Sequence, residues 1–597
     1  MIYVGLLHLN QKGRCEIHEN RLVTTLSLYT SAPALIKKPF LTLCYSERSE
    51  EHDMDEVGGN ETTLFMGRIF DKSSSSALKP KDFEFLSSRN KEEALGKIWG
   101  KYVYIKGNPE GSEFEVVIDP TGQLPFFYYF LPNGDVLFSS DIEIIFKVLS
   151  QRPALNWAYL CSYLVYGNSS SIVTPFKHVF EVPPGCCLKL TKNEHKTELF
   201  WNPLSTFNSS PPFQGDSVDV LKATLQPLIE PYKNICVSLS GGLDSSSLVY
   251  CLKSIKKEGQ TLKAINFFHS AIKSSNESVY ARAVCQENGV ELIEIDLCDT
   301  LPFDSFGKKL SLNPNKPTTE LISLKGKEKI LSHVTSIDSS IYLSGHGSDH
   351  IFMHPPSKQA LSDYILEKGI SGSKNVLKEL SHFYRDSIFS LLKENGKSLS
   401  SYFFHCRLGK RHLKNILYQP PAWIKQRAFQ EKTADFVHPV YGHLPSQVLP
   451  GKYGQIDNLY EGLSSIHGEM HQFHSTCYPF FYQPVVEFAL AIPSFKLFDK
   501  GYDRYPLRQA VSNHFKTETV WRRSKGHTTG VVQLGIKKNL KDVLDLCLNG
   551  ELVKQGFIDK EGLHKTLQSM ASGDYENLWP VMTVASTELF LRYWGNH

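Results

Sequence analysis

The first 200 residues alternate short apolar runs with turn signals, a pattern typical of sheets built from hairpins. The clearest runs are Met1–Leu9, Tyr102–Ile105, Phe114–Ile118, Pro125–Leu131 and Val136–Phe138. Asn133-Gly134 separates the last two runs, and Asn-Gly is a strong signal for a tight hairpin turn. We therefore predict antiparallel strands across this part of the chain.

Beyond residue 216 short apolar runs alternate with segments of helical periodicity. The predicted strands are Ile235–Leu239, Ala264–Phe268, Leu292–Ile295 and Ile341–Leu343. The helix after the first strand has Leu248, Leu252 and Ile255 at positions i, i+4 and i+7. Strands that alternate with helices predict an α/β domain with a doubly wound parallel sheet. After about residue 357 the pattern is mostly helical.

The two parts are separated by a stretch from Asn202 to Asp216 that is rich in Pro, Ser and Asn. Such a composition is typical of an interdomain linker. We therefore predict a first domain over residues 1–201, a linker over 202–217 and a second domain over 218–597.

Composition narrows the class of protein. The 597 residues are 41% hydrophobic and 21% charged, which is ordinary for a globular enzyme and excludes a disordered chain. The net charge of +3 gives no reason to expect nucleic acid or an anionic membrane as a partner. Twelve cysteines without a CxxC pair argue against a disulfide scaffold. With no signal peptide and no run of 18 apolar residues, we predict a cytoplasmic protein without a membrane span.

Most of the chemical information lies in residues 237–247, VSLSGGLDSSS. Here a predicted buried strand runs into two glycines and then into a helix, so that backbone amides and the helix N-terminus can converge on an anion. The hydroxyls of Ser240, Ser245 and Ser246 add donors, and Asp244 can bind Mg²⁺ that accompanies the phosphates. The segment lacks the GxxxxGK[ST] pattern of a Walker A loop. It predicts a pyrophosphate cradle.

This SGGLDSS signature resembles the PP-loop of ATP pyrophosphatases, and the similarity extends over nearly the whole chain to the asparagine synthetase superfamily. Residues 119–129 (DPTGQLPFFYY) and 137–141 (LFSSD) are similar to a strand pair of the family's first domain. Val182–Gly185 and Phe200-Trp201 resemble the end of that domain. The resemblance implies an Ntn glutaminase-like sandwich followed by a PP-loop synthetase domain with a helical C-terminal part.

Two further segments resemble family motifs. Ser344–Asp349 is similar to S-G-x-G-[GS]-D, which implies that Asp349 is a second Mg²⁺ ligand beside Asp244; a helix cap is the alternative. Both aspartates follow predicted parallel strands, where open α/β sheets place their ligands. Arg522–Thr529 is similar to the segment of β-lactam synthetase whose lysine stabilises the acylation transition state. That role would fall to Lys525, unless the segment is a solvated basic turn.

The resemblance also implies the remaining site residues. Glu277 matches an acidic residue in the ATP half of the site, although a plain helix N-terminal carboxylate is equally compatible with the sequence. Asp503–Arg508 resembles the family's K-x-x-L-R helix start, with a role that could be structural. The ATP-binding residues are then Leu239, Ser240, Gly242, Asp244, Ser245, Ser246, Phe267 and Gly345.

The sequence departs from asparagine synthetase at the glutamine site. Position 2, where the family has a nucleophilic cysteine, is Ile2, and the first cysteine is Cys15. The family's glutamine-binding N-G-E-I-Y-N is also missing, and the nearest text is Met66–Asp71 (MGRIFD). We therefore expect a catalytically dead first domain, so that the attacking amine must already be part of the substrate.

His346 then favours one branch of the family. The segment GHGSDHIF, residues 345–352, resembles lasso-peptide cyclases, whereas β-lactam synthetase has a tyrosine at the position of His346. A histidine is a suitable proton acceptor for an attacking ammonium group; packing beside the nucleotide is the alternative. The resemblance implies ATP- and Mg²⁺-dependent adenylation of an Asp or Glu side chain of a precursor peptide. Its N-terminal amine then closes a macrolactam ring.

The resemblance to lasso-peptide cyclases also implies two protein partners, a leader peptidase and a leader-binding protein. The rival functions are a β-lactam or ammonia-dependent amide synthetase and a degenerate PP-loop protein that binds nucleotide without turnover. His467, His471 and His474 have the spacing of one helix face, but HExxH is absent and we do not predict zinc. Phe480–Tyr482 is predicted to be core.

Overall fold

The computed structural model describes residues 1–9, 16–30, 33–46, 53–57, 62–78, 96–108, 110–167, 170–192, 194–204, 215–272, 275–306, 310–336, 341–408, 420–430, 437–445, 448–468, 476–523, 526 and 529–595. Among these residues no helix is both long and apolar enough to cross a membrane. The ten cysteines whose side chains are described are all free thiols.

The N-terminal part consists of two antiparallel sheets, as the alternating pattern predicts. Its strands are β1 (Tyr3–Leu7), β2 (Pro33–Lys38), β3 (Leu41–Ser46), β4 (Asp53–Val57), β5 (Thr62–Asp71), β6 (Ile98–Gly107), β7 (Glu113–Ile118), β8 (Phe127–Phe130), β9 (Val136–Ser139), β10 (Val179–Glu181), β11 (Cys186–Thr191) and β12 (His195–Leu199). One sheet has the order β10-β8-β9-β1-β3-β2 and the other β12-β11-β7-β6-β5-β4.

The two sheets pack face to face around a shared apolar core. Leu43 of the first sheet and Val103 and Val116 of the second are fully buried in it. The outer face of the first sheet is covered by α1 (Glu16–Leu26) and α2 (Ile142–Leu149), whose apolar sides join a second core. The N-terminal part is therefore a two-sheet sandwich with helices on one side. The first sheet is apolar on both faces, so one face packs on the second sheet and the other packs on the helices.

The C-terminal part contains the predicted parallel sheet. It is formed by β13 (Asn234–Ser238), β14 (Thr261–Phe268), β15 (Glu291–Asp296), β16 (Ile341–Leu343) and β17 (Thr476–Cys477), in the order β15-β14-β13-β16-β17. All neighbours are parallel. The chain moves outward from β13 to β15 and then returns to the other side of β13. The strand order therefore reverses between β13 and β16, where doubly wound sheets open a ligand crevice.

Helices make up most of the remaining chain, as predicted. They are α3 (Trp157–Tyr166), α4 (Ser217–Ile229), α5 (Leu243–Ile255), α6 (Ser278–Asn288), α7 (Leu324–Ser336), α8 (Ser348–Ile351), α9 (Ala360–Lys368), α10 (Ser373–Tyr384), α11 (Ile388–Leu408), α12 (Arg427–Gln430), α13 (Val440–His443), α14 (Pro450–His467), α15 (Gln483–Ala491), α16 (Tyr505–Phe515), α17 (Thr529–Lys538), α18 (Leu540–Leu548), α19 (Glu551–Lys554), α20 (Lys560–Ala571) and α21 (Leu578–Gly595).

Two turns of the N-terminal part, one at Thr121-Gly122 and one at Pro184, contact the C-terminal part. Gly122, at φ +60°, sits so close to Pro184 that an added Cβ would be 2.6 Å from its Cγ. From the other side, His467 Nε2 donates to the Thr121 carbonyl at 2.7 Å, and His438 Nε2 donates to the Pro184 carbonyl at 3.0 Å. These two turns therefore hold the halves of the molecule together.

The structure bears on three further sequence predictions, which concern the histidine spacing, the segment Phe480–Tyr482 and the linker. Helix α14 ends at His467, and His471 and His474, the other two members of the predicted helix face, lie outside the described residues. Phe480, Phe481 and Tyr482 are buried, which confirms their prediction as core. Most of the predicted linker, residues 205–214, also lies outside the described residues, and the domain boundaries stay predictions.

Candidate active site

The glycine-serine segment forms the connection between β13 and α5. Gly241 has φ +78°, and a Cβ at this position would lie 2.6 Å from the amide nitrogen of Ala281 in α6. Leu239 donates its amide to the Ile265 carbonyl at 2.8 Å and thereby keeps the loop on the sheet. Glycine is required here by both its conformation and its closeness to α6.

The serine side chains shape this loop as a cradle. The Ser240 amide donates to Ser245 Oγ and the Gly242 amide donates to Ser240 Oγ, each at 3.2 Å. Ser246 Oγ is buried and has no hydrogen-bond partner among the described residues. Buried hydroxyls are nearly always satisfied, and an unsatisfied one at the N-terminus of a 13-residue helix fits an anionic ligand such as a phosphate.

A second loop, after β16, packs directly on this cradle. A Cβ on Gly345 would lie 2.6 Å from the Ser245 amide nitrogen and 2.9 Å from the Asp244 carbonyl carbon. Gly347 has φ +112° and lies against the ring of Phe481. The structure thus brings the two predicted motifs into contact at the point where the strand order reverses.

Asp244 has a partner that the sequence did not reveal. Arg504 Nη1 donates to both carboxylate oxygens of Asp244, at 2.6 and 2.7 Å, and Arg504 Nε donates to Asp503 at 3.0 Å. Burial by itself lowers the pKa of Arg504. The negative charges of three nearby carboxylates outweigh burial and raise that pKa; they are those of Asp244, Asp503 and Asp349. Asp244 and Asp349 therefore lie within the field of one shared cation.

Asp349 also belongs to a cluster of groups that suit a cation. Ligand atoms of Asp349, His346 and His350 all lie within 4.8 Å of one another. Mg²⁺ prefers carboxylate oxygens and usually keeps several waters, so it would take the aspartates rather than the imidazoles. The residues present therefore fit a magnesium ion held by Asp244 and Asp349, provided that Arg504 shares Asp244 with it.

His346 faces the interior of the site. Its Nε2 lies 2.9 Å from Ser465 Oγ, and its ring packs edge-on against Tyr478 and Phe481. Burial lowers the pKa of His346 to about 4 and the neighbouring His350 contributes to the shift, although nearby carboxylates oppose it. At neutral pH the side chain is therefore an uncharged imidazole with a nitrogen able to accept a proton.

Glu277 lies directly before α6, makes no capping hydrogen bond to that helix, and instead contacts a distant segment. Its carboxylate accepts a bond from Arg522 Nη2 and one from the Gly526 amide, the latter at 2.7 Å. The Arg522 guanidinium stacks 3.8 Å above the ring centroid of Tyr280. Lys525 lies outside the described residues, but this carboxylate contacts the chain on both sides of it. Glu277 thus contacts the segment that carries Lys525.

The site opens into a cavity of about 590 Å³. Phe267, at the end of β14, and Ser344 and His346, after β16, line one side. The other walls come from α7, α14, α17 and α21 and from the turn before α7. Among the lining side chains are Glu320 and Lys327, which the sequence did not single out. Nothing local marks them, because their place in the wall follows only from helix packing.

Comparison with solved structures finds distant similarities. An allosteric regulatory enzyme of purine biosynthesis is 10% identical, with 51% of this chain and 82% of that chain covered and a TM-score of 0.23. The glutamine phosphoribosylpyrophosphate amidotransferase from B. subtilis is 10% identical over 50% and 91%, with a TM-score of 0.24. The U34-tRNA thiolase NcsA from Methanococcus maripaludis is 16% identical over 43% and 80%, with a TM-score of 0.20. These scores are too low to establish a shared fold.

Comparison with protein families and curated proteins is more informative. Residues 229–368 and 469–594 match the asparagine synthase family, and residues 88–201 match the glutamine amidotransferase domain. The microcin J25-processing protein McjC from Escherichia coli is 24% identical over 470 residues, which cover 77% of this chain and 78% of McjC. The C-terminal part of the chain therefore matches the asparagine synthase family, and the part before it matches the glutamine amidotransferase domain.

Proposed function

We propose that this protein is an ATP-dependent ligase of the lasso-peptide cyclase type. It would join the N-terminal amine of a precursor peptide to an Asp or Glu side chain of the same peptide. The observation that carries the proposal is the contact between the Gly345 loop and the start of α5, beside a cavity that contains His346. Similarity to a protein named for processing microcin J25 supports a peptide as the substrate.

The cradle would hold the phosphates of ATP. The unsatisfied hydroxyl of Ser246 would supply a donor at the helix N-terminus. Ser240, Gly242 and Ser245, which bond to one another, would shape the loop around the phosphates. Leu239, Phe267 and Gly345 would flank the rest of the nucleotide. Magnesium, held by Asp244 and Asp349, would supply positive charge that neutralises the phosphates.

The reaction has two steps. A carboxylate oxygen of the peptide attacks the α-phosphorus, and pyrophosphate leaves. The N-terminal ammonium group first gives one proton to water and becomes an amine. The amine then attacks the activated acyl carbon and loses a second proton, and AMP leaves with the electrons of the broken carbon–oxygen bond. The uncharged imidazole of His346 is the proposed acceptor of that proton, although its lowered pKa makes it a weak base. Lys525 would face the oxyanion of the second step.

One feature favours an amine that belongs to the substrate over ammonia released from glutamine. Ile2, beside the start of β1, is a buried aliphatic side chain that cannot attack a carboxamide. A leader peptidase and a leader-binding protein are proposed as partners, on the resemblance alone.

The test uses the purified full chain with ATP, Mg²⁺ and synthetic peptides. In the peptide panel a single Asp or Glu moves along an otherwise uncharged sequence with a free N-terminal amine. We expect AMP and pyrophosphate in equal amounts and a peptide product lighter by one water. ADP and phosphate as products would contradict the proposal. Asparagine formed from aspartate and ammonium would favour the ammonia-dependent alternative, and glutamate released from glutamine would refute the inactive first domain.

A further inference from the structure

The wall of the cavity contains an ion pair whose two members come from neighbouring turns. Glu320 Oε1 and Lys327 Nζ are 2.7 Å apart. Glu320 lies in the short helix Thr319–Ser323, which is capped by the Thr318 hydroxyl, and Lys327 lies in the first turn of α7. Both side chains line the same cavity as His346.

The other lysines of this part of α7 have different surroundings. Lys325 Nζ donates to the Asp299 carbonyl at 2.7 Å, and Lys329 Nζ contacts the Asp299 carboxylate at 2.5 Å. Lys327 instead reaches Glu320, whose side chain is only 8% exposed, while that of Lys327 is 37% exposed. The buried carboxylate of Glu320 needs a cationic partner, and Lys327 supplies one while part of its own side chain stays exposed. Because both side chains line the cavity, a ligand that enters it can contact each of the two charges.

We propose that Glu320 binds the N-terminal ammonium of the precursor peptide and that Lys327 binds the side-chain carboxylate that is to be activated. This rests on the proposed function, in which these two groups of the peptide must meet to form the bond. Glu320 and Lys327 lie in contact with each other. The ammonium and the carboxylate that they would bind are therefore also held close together, as bond formation between them requires. On binding, each charge of the peptide takes the place of one member of the pair.

The pair would therefore select the substrate by its free N-terminal amine and its acidic side chain. A peptide with a free amine and an acidic side chain satisfies both Glu320 and Lys327. A peptide with a blocked amine offers no ammonium group to Glu320, and one with an amide in place of the acid lacks the charge that Lys327 binds. Recognition of the amine and recognition of the carboxylate can be measured separately, because adenylation requires the carboxylate but not the free amine.

The experiment measures peptide-dependent exchange of pyrophosphate into ATP. It compares a panel peptide that supports exchange in the wild type with the same peptide acetylated at its N-terminus. We expect Glu320→Gln to raise the KM of the free-amine peptide by roughly 10- to 100-fold and to leave the KM of the acetylated peptide unchanged. Lys327→Met should raise the KM of both peptides. The matched controls are Glu328→Gln and Lys325→Met on the same helix.

The outcomes separate this inference from the proposed function. An equal effect of Glu320→Gln on both peptides, or an effect of Lys327→Met no larger than that of Lys325→Met, would overturn the assignment while exchange persists. Absence of exchange with every peptide in the wild type would instead refute the proposed function. If a single variant does not fold, the double variant Glu320→Gln/Lys327→Met removes both charges together. It should lose its preference for the free-amine peptide.

Discussion

Arg504 shows how single side chains set the electrostatics of the site. Its guanidinium is buried and bonds to Asp244 and Asp503, and the charge of Asp349 also raises its pKa. Removing one partner of a buried ion pair is usually costly, because the remaining charge keeps its desolvation penalty. Asp503, also buried, would keep Arg504 paired if Asp244 lost its charge.

The two predicted metal ligands can be tested separately. Asp244→Asn and Asp349→Asn should each abolish pyrophosphate exchange, because each removes an anionic oxygen that would hold Mg²⁺ beside a polyanion. The exposed Asp545→Asn serves as the control. A variant that keeps near wild-type exchange would show that its aspartate is not a metal ligand. Thermal unfolding of each protein separates lost chemistry from lost folding.

Lys525 and Glu277 should act on the same step. Lys525→Met removes one preorganised charge from the oxyanion and is expected to slow ring closure by roughly 10²–10³, with exchange much less affected. Glu277→Gln weakens the contacts to Arg522 and Gly526 and should slow ring closure in the same way, but less. Uncyclised peptide should accumulate in both variants.

The double variant of Glu277 and Lys525 distinguishes positioning from an independent contribution. If Glu277 acts by holding the Lys525 segment, Glu277→Gln should cost little more once Lys525 is already Met. Fully multiplicative losses would show that Glu277 acts elsewhere. Equal loss of exchange and closure in Lys525→Met would place this lysine at the α-phosphate during adenylation.

At the scale of elements, the site depends on how closely two loops approach. The loops after β13 and β16 come from adjacent parallel strands, and their closest approach is made by a residue without a side chain, Gly345. Closely packed interiors tolerate extra atoms poorly, and overpacking typically costs about 1–3 kcal/mol. The contact between the loops therefore restricts position 345 to glycine.

Gly345→Ala tests this contact. The added methyl would lie 2.6 Å from the Ser245 amide nitrogen, so the cradle must shift, and we expect at least roughly 10-fold weaker binding of a non-hydrolysable ATP analogue. Gly442→Ala is the matched control, because a Cβ there meets no atom within 4 Å. Calorimetric titration measures both affinities. Unchanged binding by Gly345→Ala would mean that the loop contact is not needed for the nucleotide.

At the scale of the whole molecule, the halves are joined through two buried, uncharged histidines. His438 accepts the Val440 amide at Nδ1 and donates from Nε2 to the Pro184 carbonyl, so a second proton would cost a hydrogen bond. Burial lowers the pKa values of His438 and His467 to about 3. In the unfolded chain both would titrate near the usual histidine value of about 6.5.

The free energy of unfolding should therefore decrease as the pH falls below about 6.5. Between pH of about 6.5 and 3 the unfolded chain binds protons at His438 and His467 that the folded protein does not. For each such group, the free energy of unfolding decreases by roughly 1.4 kcal/mol for every unit by which the pH falls within this range. His438→Gln can still donate to Pro184 but does not titrate, so its stability should depend less on pH than that of the wild type.

The measurement is the unfolding midpoint from pH 8 to pH 5, with the exposed His443→Gln as the control. Parallel pH profiles for His438→Gln and the wild type would contradict the assignment of an uncharged histidine at the contact. A profile of His443→Gln that flattens equally would show that the effect is not specific to the buried site.

Much of the architecture and the composition of the cradle were accessible from the sequence, because they rest on local properties. Alternating apolar residues marked the strands, and β16 was predicted with the bounds that the structure shows. Glycines and serines between a strand and a helix indicated a phosphate cradle, since the conformation of Gly241 and the helix N-terminus are features of one short segment.

Only the tertiary structure decided the contacts between residues that are far apart in the chain. The pairs of Asp244 with Arg504, Glu277 with Arg522 and His346 with Ser465 have no sequence signature, because packing of separate helices determines them. Strand β17 is two residues long and exists only through its pairing with β16. The contact of His467, at the end of α14, with the Thr121 carbonyl likewise joins residues far apart in the chain. Local chemistry determined the parts of the site, and the tertiary fold determined which charges meet in it.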